Sequence, residues 1–153
     1  MRNRLNPYQA APDAMNALGA LEAFNTTNGL GSSLMHLVKT RASQINGCAF
    51  CIHMHTREAR EDGETEARLY LLNAWRESPL YSDRERAALS WTETVTLISE
   101  NHVPDIAFNE VREHFSETEL VKLTLLICAI NAWNRIAISF RSIHPMALHP
   151  KAA

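Results

Sequence analysis

The chain has 153 residues and a mass of 17.2 kDa, a single-domain length able to bury about two thirds of its unfolded surface without metal or disulfide staples. Residues of the AVILMFWYC set make up 46% and charged residues 21%, with five Gly and six Pro, which excludes intrinsic disorder and collagenous or low-complexity architecture. Fifteen Lys and Arg against 17 Asp and Glu leave a net charge of -2, with no basic excess to neutralise nucleic-acid phosphates or anionic lipid.

From the amino terminus, two Arg precede Asn6, Pro7 and Gln9, which stand where a signal peptide would carry its apolar stretch, so the expectation is a cytoplasmic protein. Helices are expected from Asp13 to Phe24, Ser33 to Ile45, Cys48 to Glu61 and Glu64 to Arg76, separated by the turn dipeptides Asn28-Gly29, Asn46-Gly47 and Asp62-Gly63 and closed by Ser78-Pro79. Ser82-Asp83-Arg84-Glu85 has the Ser-x-x-Glu spacing in which two side chains satisfy two orphan helix N–H groups. Ala88, Trp91, Val95 and Ile98 follow it at helical spacing as one apolar face. A helix from Asp105 to His114 comes next. Ser116-Glu117-Thr118-Glu119 repeats the capping spacing and opens a helix apolar nearly all round, suited to a central position or a subunit interface. Its longest uninterrupted apolar run, Leu125 to Ile130, is far below the roughly 20 residues of a membrane span, so no membrane is expected. No alternating β-branched runs occur, and the fold class expected is all-α, one compact helical bundle over residues 1–153.

Reactive side chains concentrate in Asn46-Gly47-Cys48-Ala49-Phe50-Cys51-Ile52-His53-Met54-His55. On a helix starting near Cys48, with about 100° between residues, Cys51 falls about 60° and His55 about 20° from Cys48, while His53 lies about 140° away. One surface thus presents two thiols and an imidazole. A helix amino terminus and a neighbouring imidazole both lower a thiol pKa, and a second thiol within reach converts a sulfenic acid to a disulfide before further oxidation. A metal-site reading needs a fourth ligand, and His36 would complete Cys48, Cys51 and His55 around zinc. Cys128, within an apolar helix, is expected as a packed core thiol. Trp75, Trp91 and Trp133 are read as core or interface anchors, and His102, His114, His144 and His149 as solvated or capping residues.

Residues 36–60, HLVKTRASQINGCAFCIHMHTREAR, with GETEARLYLLNAWRESPLYSDRERAALSWTETVTLI after them, closely resemble the AhpD-like alkylhydroperoxidase branch of the carboxymuconolactone decarboxylase family. The resemblance runs from about Glu22 to Arg141. It implies an all-α homo-oligomer in which Cys51 attacks a hydroperoxide, Cys48 resolves the product as a disulfide and His55 relays protons through water. It further implies an external dithiol reductant, lipoyl-like in kind, and no bound cofactor. The family places a Glu twelve residues before the first cysteine to complete the relay; this chain has His36 there, expected either to take the relay role itself or to be a simple polar neighbour of the site. Glu58 shares the helical face of His55 and offers a substitute carboxylate, although the simpler reading is a solvated charge paired with Arg57. Three other functions remain open: a metal-binding or redox-sensing oligomer without turnover, a reductase passing electrons from a lipoyl-like dithiol to another thiol protein, and the lactone decarboxylation of the family's other branch, which does not depend on a dithiol.

Overall fold

The computed structural model describes residues 2–145; within them the helices are α1 (Pro7–Ala10), α2 (Pro12–Thr26), α3 (Ser32–Asn46), α4 (Ala49–Glu61), α5 (Glu66–Leu71), α6 (Asp83–Thr96), α7 (Ile98–Asn101), α8 (Asp105–Arg112) and α9 (Glu117–Phe140). No strand occurs among the described residues, in accord with the all-α expectation. The two Ser-x-x-Glu signals are both reciprocal capping boxes: Ser82 and Ser116 accept from the N–H groups of Glu85 and Glu119, whose carboxylates accept in return from the serine N–H groups.

The structure corrects the expected elements in four places. The helix expected over Glu64–Arg76 starts at Glu66 and tightens into a 3-10 turn at Leu72–Ala74. Its end is shaped by tertiary demands, because Trp75 is buried with its indole N–H donated to Glu93, and Arg86 donates to the carbonyls of Trp75, Arg76 and Ser78. The apolar stripe after Ser82 stops at Val95, since the chain breaks at Leu97 and Ile98 is exposed in the short α7. A short amino-terminal helix, capped by the Asn6 side chain, was not expected. Cys128 is exposed on α9, not packed in the core.

α3 and α9 are the centre of the molecule: α3 packs on α4, α6 and α9, while α9 also meets α2, α4, α6 and α8. One core cluster joins Leu34, Val38, Trp91, Phe115, Leu123 and Ile127; a second gathers Leu37, Leu72, Trp75, Tyr81 and Leu89. By length and composition α9 could cross a bilayer, but it is a core helix here, with Leu120, Leu123, Leu126, Ile127 and Ile130 buried. Asn131 and Asn134, buried among them, accept from Asn46 Nδ2 at 2.9 and 2.8 Å, and Asn134 donates to Ser43 Oγ at 3.0 Å. These bonds satisfy polar groups that would otherwise be costly in the interior, and they fasten the carboxyl end of α3 to α9. The reactive segment starts at that fastened end.

Candidate active site

α3 ends at Gly47, which adopts φ 69°, a left-handed conformation that costs glycine nothing. The N–H groups of Gly47 and Cys48 return to the carbonyls of Gln44 and Ser43, so two otherwise orphaned acceptors are satisfied as the chain reverses. Cys48 is thereby placed as the amino-terminal cap of α4, one residue outside the helix expected to contain it, and its sulfur accepts from the Cys51 N–H at 3.4 Å. The Cα atoms of Cys48 and Cys51 are 5.4 Å apart and their sulfurs lie at disulfide-bonding distance. Both are packed with Ala42, Ile130 and Ala137 and are 1% and 2% exposed.

His55 lies one turn after Cys51 on α4 and is 4% exposed. Its Nδ1 is 2.9 Å from Glu58 Oε2. With the proton on Nδ1 the imidazole donates to that carboxylate, and Nε2 is left as the basic nitrogen. The hydrogen bond from His55 holds the Glu58 carboxyl below its ordinary range; burial opposes this, and the nearby His55, Lys39 and His36 reinforce it. Glu58 is therefore the carboxylate partner of His55, and Arg57 pairs with Glu61 instead at 3.4 Å. This corrects the simpler sequence reading of Glu58 as a surface charge.

His36 takes a different place from that expected of a relay group. Its Nε2 meets Asp62 Oδ2 at 2.9 Å near the carboxyl end of α4, and its buried Nδ1 has no partner among the described residues. It is near enough to Glu58 to act on it electrostatically, but its hydrogen bond goes elsewhere. The four candidate zinc ligands Cys48, Cys51, His55 and His36 are not gathered either: among the described residues, no group of three or more His, Cys, Asp or Glu side chains is arranged to hold a metal.

Cys51 lines a cavity of about 500 Å³, between α4, the carboxyl end of α9 and the amino-terminal segment. Its walls include Leu5, Tyr8, Phe50, Met54, Trp133 and Phe140, and Glu22 and Glu58 supply its carboxylates. Glu22 is held by the nearly buried Lys39. The amino-terminal wall is fixed by Arg4, whose N–H and guanidinium donate to the Phe140 and Ser139 carbonyls at 3.0 and 3.1 Å. Sequence reasoning missed Glu22, Lys39 and this wall, whose contacts link residues far apart in the chain. It read Trp133 only as an anchor. Its indole lines the reactive cavity, and its buried N–H has no acceptor among the described residues. His53, expected to point off the reactive face, stacks on His144 with ring centroids 4.9 Å apart; His149 lies outside the described residues.

The uncharacterized protein YdfG of Bacillus subtilis (strain 168) is 45% identical over 139 residues, covering 91% of this chain and 95% of that protein. The crystal structure of ATU0492 from Agrobacterium tumefaciens, a protein of unknown function put forward as the antioxidant defence protein AhpD, is similar with a TM-score of 0.93 and 50% identity. That match covers 95% of this chain and all of the other. An AhpD-core, peroxidase-related protein from Ralstonia eutropha JMP134 shares the fold, with a TM-score of 0.79 at 19% identity over 90% of this chain and 74% of that one. The sequence pattern of the carboxymuconolactone decarboxylase family matches residues 8–94. With that match and the helical fold shared with its AhpD-like neighbours, the chain belongs to the carboxymuconolactone decarboxylase family, in its AhpD-like branch.

Proposed function

We propose that the protein is a thiol peroxidase that reduces hydroperoxides with the Cys48–Cys51 pair and is restored by an external dithiol, in a reducing compartment such as the cytoplasm. The observation that carries this reading is the placement of Cys51 on an apolar cavity, with Cys48 at bonding distance and the His55–Glu58 pair one turn away. His55 Nε2 takes the Cys51 proton, and the thiolate attacks the peroxide oxygen. The O–O bond breaks, the sulfur becomes a sulfenic acid, and the departing alkoxide recovers a proton from His55. Cys48 then attacks the sulfenic sulfur, water leaves and the disulfide forms. Glu58 keeps the imidazole oriented and supports its charge while it holds the extra proton. His36 acts at one remove, through the field it adds at Glu58.

Thiol counting tests this stoichiometry. One equivalent of organic hydroperoxide added to reduced protein is expected to consume two of the three thiols, with peptide mapping placing the bridge between Cys48 and Cys51 and leaving Cys128 free. A dominant bridge to Cys128, or no thiol loss, would remove the assignment.

The same reading includes self-association. Val121 and Leu125 on α9 and Phe108 on α8 are exposed along one groove, with Ile106 and Cys128 also exposed on these helices. A second copy covering this face would remove apolar surface from water. Light scattering after size exclusion is expected to give a multiple of 17.2 kDa at micromolar concentration; the single-chain mass at every dilution would contradict it.

A further inference from the structure

The cavity at Cys51 has one wall that the core does not need. Asn3, Leu5, Asn6, Pro7 and Tyr8 all line it. Arg4 ties one end of this segment to the Ser139 and Phe140 carbonyls, orphan acceptors of a helix end, and α1 leads into α2 at the other. Between these ties α1 buries none of its residues, and Leu5 and Tyr8 stand 47% and 60% exposed. Residues 3–7 also precede the stretch 8–94 that the family pattern matches. Two large apolar side chains held half in water add little to the core, but a molecule in the cavity of about 500 Å³ would cover them. Glu22 and Glu58 are the charged residues lining this space among the described residues, and both are taken, Glu22 by Lys39 and Glu58 by His55.

We infer that residues 3–8 are the specificity-determining wall of the site, and that they select an uncharged hydroperoxide carrying an aryl or branched alkyl group over hydrogen peroxide and over hydroperoxides that carry a carboxylate. The inference deepens the function proposed above and rests on Cys51 as the reacting thiol. An apolar group entering the cavity is shielded from water by Leu5 and Tyr8 as well as by Phe50, Met54 and Trp133. Hydrogen peroxide has no apolar surface to bury there. A carboxylate would shed its hydration with no free cation on the cavity wall to receive it. Cys51 is itself only 2% exposed, so a reagent meets it through this space, and the wall acts on every approach. Its hold is light, because the segment is fastened by hydrogen bonds of one residue, Arg4, to the end of α9.

The test uses alkylation of the reduced protein, which needs no peroxide turnover and so can fail or succeed apart from the peroxidase reading. Iodoacetamide, N-benzyliodoacetamide and the 4-carboxylate of the latter share one reaction: the thiolate forms a C–S bond, the C–I bond breaks and iodide leaves. Each rate is divided by that of free N-acetylcysteine, and label on Cys51 is followed by peptide mapping, since the exposed Cys128 reacts as well. All three reagents meet the same thiolate, so its activation cancels in their ratios. The benzyl reagent is expected to exceed iodoacetamide by about tenfold, as burial of one aromatic group permits, and the carboxylate to forfeit that gain. In the double variant Leu5→Ala/Tyr8→Ala the benzyl advantage should shrink to about twofold or less with the iodoacetamide rate unchanged. Arg4→Ala should shrink it too, and Tyr8→Phe should keep it. The exposure of Leu5 and Tyr8 leaves the core intact in these variants. A ratio of one in the unmodified protein, a carboxylate that reacts as fast as the neutral benzyl reagent, or no label on Cys51 from any of the three would overturn the proposal. So would equal changes for both neutral reagents in the double variant, the mark of a merely structural role.

Discussion

Cys51→Ser is expected to slow the reaction with organic hydroperoxide by about a thousandfold or more, because loss of a nucleophile removes the reaction path and does not merely weaken it. Cys48→Ser should behave differently. The first step survives, the disulfide cannot form, and the sulfenic acid on Cys51 persists until a second peroxide carries it to the sulfinic state. Single-turnover kinetics with mass spectrometry separate the two: no fast phase in the Cys51 variant, and a one-equivalent burst with oxygen added to Cys51 in the Cys48 variant. The reverse pattern would exchange the roles of the two cysteines. The geometry gives each a different environment, with Cys48 as the cap of α4 and Cys51 facing the apolar cavity ahead of His55.

Glu58→Gln is expected to lower that rate by about ten to a hundredfold near neutral pH, since a positioned acid or base contributes about 10² to 10⁴ and the amide still accepts a hydrogen bond without supporting an imidazolium. The pH dependence follows from the lowered Glu58 pKa. A carboxyl whose folded pKa lies below its unfolded value stabilises the fold fully above the unfolded value, near 4.3, and loses that contribution as pH falls through the folded value. The parent protein should therefore lose stability in that acid window, and the Gln variant should lack this component. Unfolding followed by denaturant at several pH values checks it, and identical acid profiles for parent and variant would contradict the pairing.

Much of the site was legible because it is local. Gly47 before Cys48, the two cysteines three apart and His55 one turn on are all set by a turn and one helix, and local rules suffice to bring them together. Glu58 shows where local rules stop. Its spacing from His55 is visible in sequence, but Arg57 and solvent compete for the same carboxylate. The charges that favour the inward choice, Lys39 and His36, come from α3 across an antiparallel packing register that sequence does not encode simply. His36 illustrates the same limit from the other side: the resemblance places it at a relay position, while the side chain pairs with Asp62. Cys128 fails for another reason. A helix apolar nearly all round has no readable phase, and the face bearing Val121, Leu125 and Cys128 is as apolar as the faces that are buried. The cavity itself required the amino-terminal segment to dock on the end of α9, through contacts 135 residues apart in sequence.

The most direct measurement is the second-order rate of oxidation of the fully reduced protein by cumene hydroperoxide at pH 7, followed by the fluorescence of its tryptophans, of which Trp133 lines the Cys51 cavity. A thiol activated by His55 and Glu58 is expected to react at least about a hundredfold faster than free cysteine, consistent with the contribution of a positioned base, and to yield the Cys48–Cys51 disulfide. A rate equal to that of free cysteine, with the pair still reduced after several equivalents of peroxide, would contradict the peroxidase assignment.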